Sequence, residues 1–216
     1  MPCHAASATS PTDVLRAEHR VIERALDVLD RLASQGAAAG ALDVEACRGL
    51  VEFFRTFADA CHHGKEEDLL FPALERRVPG FGPAVVMRHE HDEGRVAVAG
   101  LHRAVEARDV AAFAGHARTY GTLLRAHIQK EDHCLWPLAD GLLDAAAKAE
   151  LLAAFERAEI EHVGPGVHER MLEQLDALAA RCGLSTRPGL RLAGGGGCGC
   201  RGAAADHAAD AKPAVG

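Results

Sequence analysis

CHHGKEEDLLFP, residues 61–72, and AHIQKEDHCLWP, residues 126–137, are two copies of one twelve-residue pattern. Aligned, they pair His62 with His127, Lys65 with Lys130, Glu66 with Glu131, Leu70 with Leu135 and Pro72 with Pro137. Glu67 meets Asp132 and Phe71 meets Trp136, both conservative pairs. A Glu-His pair precedes each copy, Glu18-His19 and Glu90-His91. The repeat is therefore a duplicated two-helix unit, and it governs how the rest of the chain is read.

Working outward, the surrounding sequence is helical. Alanine and leucine dominate, aromatics are only 4%, and β-branched runs are scarce, which favours an all-α fold. A first helix starts at a Thr12 or Asp13 cap and runs to about Ala33, followed by a Gly/Ala loop from Ser34 to Gly40. A second begins near Asp43 and carries the first motif, with Pro72 expected to kink or end it. The third spans about Ala84 to Ala107, and Asp109 caps a fourth that carries the second motif to Pro137. Short connections predict an up-down-up-down four-helix bundle over residues 12–140. Two more amphipathic segments, about Leu142–Glu161 and Pro165–Arg181, predict additional helices over 141–182 packed on the bundle. Residues 1–11 read as a disordered leader and 183–216, rich in Gly, Ala and Cys, as a disordered tail.

Composition narrows the function. The 216 residues suffice for one sizeable core. A formal charge of −7 argues against nucleic acid as a partner, and no apolar run reaches a membrane span. The N-terminus lacks the basic and apolar regions of a signal peptide, and seven cysteines without framework spacing read as reduced thiols. Both point to the cytoplasm. The 13 histidines are the outlying number.

His62 and Glu66 are four residues apart on one helix face, and so are His127 and Glu131. With one histidine from each remaining helix the set becomes His19, His62, Glu66, His91, His127 and Glu131. All six pointing into a bundle is the geometry of di-metal carboxylate proteins. Four imidazoles, two bridging glutamates and an oxo or hydroxo bridge give roughly ten bonds over two ions, leaving open positions. Mixed N/O ligation with vacancies fits iron, and manganese or zinc is compatible with the residue types. A single such histidine is more often a hydrogen-bonded core residue, and a single His-x-x-x-Glu a solvated pair. Burying six polar groups without a metal, however, leaves a large penalty uncompensated. His63 could add a seventh ligand, although its repeat partner is Ile128, and Glu23, one turn past His19, could be a ligand or an acceptor for an imidazole N–H. Glu18 and Glu90 point about 100° from the ligands beside them and read as supporting or surface groups. Lys65, Lys130 and Glu67 read as solvated, and His89, His102, His116, His133, His162 and His168 as structural or exposed. Tyr120 lies on the His127 stripe and could border the site, and Cys198-Gly-Cys200 is a weak soft-metal or disulfide signal.

These residues resemble the hemerythrin-like, or HHE cation-binding, family. The matching pieces are Glu18-His19, His62-His63-x-x-Glu66-Glu67 with Leu-Phe-Pro, Glu90-His91-Asp92, and His127-x-x-x-Glu131 with Leu-Trp-Pro. The resemblance covers about residues 12–140 and implies a non-haem di-iron four-helix bundle. Met87 and Arg95 stand where oxygen carriers would place a second histidine on the third helix. The pattern is closer to bacterial iron-binding and nitric-oxide-responsive relatives. The implied function is a di-iron protein that binds oxygen, nitric oxide or iron for sensing, storage or detoxification. The alternative is a di-iron enzyme that reduces nitric oxide or peroxide, with a separate reductase as electron donor.

Overall fold

The computed structural model describes residues 10–184, the side chains of 162 and 163 excepted. All regular structure among them is helical: α1 (Pro11–Ala39), α2 (Val44–Phe53), α3 (Phe71–Arg77), α4 (Gly82–Ala107), α5 (Val110–Lys130), α6 (Trp136–Leu142), α7 (Ala145–Ala158) and α8 (Val167–Arg181). Wide π-helical stretches at Phe54–His63 and Glu66–Leu70 join α2 to α3, and Glu131–Leu135 joins α5 to α6. A fourth, Glu159–Val163, follows α7.

Four rods result: α1, the α2–α3 run, α4, and the α5–α6 run. Contacts close a ring, with α1 on α2 and α5, and α4 on α2 and α5. Outside this ring, α8 packs on α1 and α2, and α7 packs on α1 and on Glu66–Leu70. The leader before residue 10 and the tail beyond Leu184 lie outside the described residues.

Local chemistry sets the helix ends. Asp43, Asp109 and Asp144 each accept a backbone N–H three residues on, as N-caps do. The first helix starts earlier than its sequence suggests. Ser10 caps it, Pro11 occupies the first turn, and Asp13 reaches back to the Ser10 N–H. It also ends later: the expected loop from Ser34 stays helical to Ala39, because alanines propagate the helix until Gly40 turns left-handed at φ 67°. Pro72 does not end its helix, and neither does Pro137. Each sits in the first turn of α3 or α6, directly after a π-helical stretch. Those wide turns let the chain absorb a residue with no N–H and stay helical.

Two apolar clusters fill the interior. One contains Ile22, Leu26, Leu50, Phe57, Leu101 and Leu124. The other contains Leu15, Leu70, Phe71, Met87, Leu135 and Trp136. On every rod the chain leaves one cluster, passes a histidine or glutamate, and enters the other: Leu15, His19, Ile22 on α1, for example. A polar layer is thus held between two apolar cores. Leu50→Ala, at a side chain with no exposure, should destabilise the protein by about 2–5 kcal/mol, read as a lower urea midpoint with unchanged slope.

Candidate metal centre

The polar layer contains His19, His62, Glu66, His91, His127 and Glu131, none more than 1% exposed. The π-helical turns carry His62, Glu66 and Glu131, and such turns recur at functional sites. Glu66 lies 3.2 Å from His62 Nε2 through Oε1 and 3.3 Å from His91 Nε2 through Oε2. Glu131 Oε2 lies 3.1 Å from His19 Nε2 and 3.2 Å from His127 Nε2. Two quartets with converging ligand atoms follow, His19–His62–Glu66–Glu131 and Glu66–His91–His127–Glu131, sharing both glutamates.

The outer ring nitrogens are all engaged. His62 Nδ1 meets Glu18 at 2.9 Å, His127 Nδ1 meets Glu90 at 2.9 Å, His91 Nδ1 meets Glu67 at 2.6 Å, and His19 Nδ1 meets Asp132 at 2.7 Å. An ionised carboxylate only accepts, so each Nδ1 carries the proton of that bond and each Nε2 turns inward, where giving up its own proton would free a lone pair for a metal. The inner atoms are short of partners by contrast. All four oxygens of Glu66 and Glu131, and His19 Nε2, are buried without a hydrogen bond of proper geometry. Orphaned acceptors of this kind are costly, and a shared cation would satisfy all of them. The donor set therefore fits a metal pair.

Charge in the layer is balanced locally. Burial alone would depress His62, but Glu66 and Glu18 outweigh it and lift the imidazole to about 10. His91 rises to about 9 against the same burial, through Glu66 and Glu67. Burial would raise Glu131, and so would Glu66, yet His127 and His19 hold it at about 2. His63 behaves differently: burial, then the neighbouring His91, pushes it down to about 3, a neutral ring.

The site repeats itself as the sequence does. Glu18–His62 corresponds to Glu90–His127, and Glu67–His91 to Asp132–His19. Phe71 stacks on His91 at 6.1 Å and Trp136 on His19 at 6.0 Å. Several supporting groups escape a reading by spacing alone. Glu67, expected to be solvated, bonds His91 and Arg95. Its repeat partner Asp132 was the signal that could have found it. Lys65, also expected in solvent, is 2% exposed, held by Glu18 and by Glu159 at 3.1 Å. Lys130 remains open and pairs with Glu90. The difference comes from the added C-terminal helices, which bring Glu159 and His168 over one half only. His63 stacks on His91 at 3.9 Å, and its nitrogens converge with those of His91 and His127. Glu23 pairs with Arg20 at 3.0 Å and joins none of the converging groups among the described residues.

The family model of the hemerythrin HHE cation-binding domain matches residues 10–139. The chain belongs to this hemerythrin HHE family. The match takes in both motif copies and all six residues of the polar layer. The hemerythrin-like chain is also similar to curated mycobacterial proteins. It is 24% identical over 184 residues to the uncharacterized protein Mb2018 of Mycobacterium bovis, covering 82% of this chain and 71% of that one. It is equally similar to the uncharacterized protein Rv1995 of Mycobacterium tuberculosis, with the same coverage. No solved structure matches.

The broken symmetry at the lysines is measurable. Lys65→Met leaves the buried Glu18 carboxylate without its cation and should cost about 3–5 kcal/mol. Lys130→Met, at the matching but open position, should cost under about 1 kcal/mol. Urea unfolding of the two variants checks this, and equal losses would contradict the assigned burial.

Proposed function

We propose that this chain is a non-haem di-iron protein that binds a small diatomic ligand, oxygen or nitric oxide, or holds iron itself, for sensing, storage or detoxification. The observation that carries the reading is the pair of four-residue groups sharing Glu66 and Glu131. His19 and His62 would hold one ion and His91 and His127 the other, with the two glutamates bridging. Bound iron would supply a redox-active Lewis acid. The mixed imidazole and carboxylate set favours iron over a closed zinc site, which would draw on thiolates.

The remaining residues prepare that centre. Glu18, Asp132, Glu67 and Glu90 fix the four imidazoles in the ligating tautomer and raise their basicity. Phe71 and Trp136 close the layer on one side and exclude water. The four rods are read as running alternately up and down, which the short α4–α5 connection supports. No helix among the described residues is long and apolar enough to cross a membrane. A cytoplasmic location is supported by the free thiols Cys47, Cys61, Cys134 and Cys182.

Purified protein should carry about two iron ions per chain, as a di-metal carboxylate bundle does. Glu66→Ala and Glu131→Ala should each lose most of that metal, whereas His102→Ala should keep it. Full iron in both glutamate variants would defeat the reading. Repeated turnover of peroxide or nitric oxide with a reductant would replace binding by catalysis.

A further inference from the structure

The pseudo-symmetric centre has one unsymmetric flank. Where the second motif carries Ile128, the first carries His63. His63 is 4% exposed, and neither of its ring nitrogens has a hydrogen-bond partner. It forms part of the wall of a cavity of about 330 Å³. Tyr120 lines the same cavity, is 2% exposed, and its hydroxyl makes no hydrogen bond among the described residues. Phe54, Gly94 and Val98 supply apolar wall, and the exposed Arg55 places the cavity's rim at the surface. A diatomic molecule needs little more room than a water, about 30 Å³ of liquid volume. This cavity lies instead in the range of organic-ligand pockets, roughly 300–1,000 Å³.

Charge selects the ligand class. Arg95 also lines the cavity but is spent on Asp59 at 2.9 Å, Asp92 at 2.8 Å and Glu67 at 2.9 Å. Asp59 is in turn held at about 2, its burial outweighed by His63 and Arg95. Arg55 has no ion pair among the described residues. The cavity thus offers one free cation at the rim, apolar walls, and two hydrogen-bonding side chains at depth: the Tyr120 hydroxyl, without a partner among the described residues, and His63, whose Nδ1 has only the long 3.5 Å approach to Asp59. Arg55 and His63 are eight residues apart on one rod, roughly 12 Å along the axis at the α-helical rise. An arginine side chain and one six-membered ring close that span.

We propose that this cavity binds a small organic monocarboxylic acid, its carboxylate on Arg55, its body against Phe54 and Val98, and a hydroxyl or carbonyl at the far end on His63 and Tyr120. The site uses none of the six proposed metal ligands; it shares only His63, stacked on His91 at 3.9 Å, with the surroundings of that centre, and preparations with and without metal separate the two readings. Gly94 keeps it open: a Cβ there would come to 3.6 Å from Tyr120 Cε2, so alanine is accommodated and a longer side chain enters the cavity.

The test is calorimetry and ligand-observed NMR on the full chain, as purified and after chelation of metal, with 4-hydroxybenzoate as the probe. Saturable binding at a Kd on the order of millimolar or tighter is expected in both preparations. Arg55→Gln should weaken it about tenfold, and phenol, which lacks the carboxylate, should bind the unaltered protein at least as weakly. Gly94→Leu should abolish binding while helix content and metal content stay unchanged. If Gly94→Leu fails to fold, Arg55→Gln and phenol decide alone. No saturable binding, or binding as tight with phenol or after Arg55→Gln as with the unaltered pair, would overturn the proposal. Binding seen only with metal present would overturn it too, since the acid would then be a metal ligand.

Discussion

Two carboxylates without hydrogen bonds, in the middle of a helical protein, are the constraint to which the rest of the structure answers. Glu66 and Glu131 are wholly buried and sit within 3.1–3.3 Å of four imidazole nitrogens. In an apolar interior such groups are tolerable only when paired or coordinating. The fold supplies both conditions. Apolar clusters above and below exclude water, and a ring of outer carboxylates turns each imidazole Nε2 inward. Neither would be useful alone: the cores without the carboxylate ring would leave tautomers free, and the ring without the cores would leave the glutamates solvated.

Duplication explains the economy of the arrangement. Each half contributes a Glu-His helix and a His-x-x-x-Glu helix, and the supporting contacts cross between the two helices of a half or between the halves. Glu18 reaches His62 and Glu90 reaches His127, whereas Asp132 reaches across to His19. The departures from symmetry are as informative as the symmetry. The C-terminal helices bury Lys65 but leave Lys130 in solvent. His63 lines a cavity beside His91, whereas Ile128, its counterpart in the repeat, is buried in the apolar cluster. The two halves of the layer therefore differ in their surroundings.

Much of this was legible in the residues. Period and spacing marked the four rods; alignment of the two motifs singled out four of the inward-facing groups, and the Glu-His pairs before them supplied His19 and His91. What was not legible has a physical cause in each case. Ser34–Ala39 reads as a loop by its small residues, but alanine's propensity carries the helix to the left-handed Gly40. Pro72 and Pro137 read as stops, because π-helical widening cannot be seen in a sequence. Lys65 reads as solvated because the residue that covers it, Glu159, is distant in the chain. His168, without partner spacing, arrives beside Glu159 for the same reason. Local pattern places residues on faces, and only tertiary packing decides which faces are dry.

The central claim is that Glu66 and Glu131 are shared by two metal ions rather than enclosing one. X-ray absorption at the iron edge of the as-purified protein addresses it directly. The account predicts a light-atom shell of imidazole nitrogen and carboxylate oxygen with a second iron scatterer at about 3.5–4 Å, the spacing of paired-metal sites. A light-atom shell with no metal scatterer, or a shell dominated by sulfur, would contradict it.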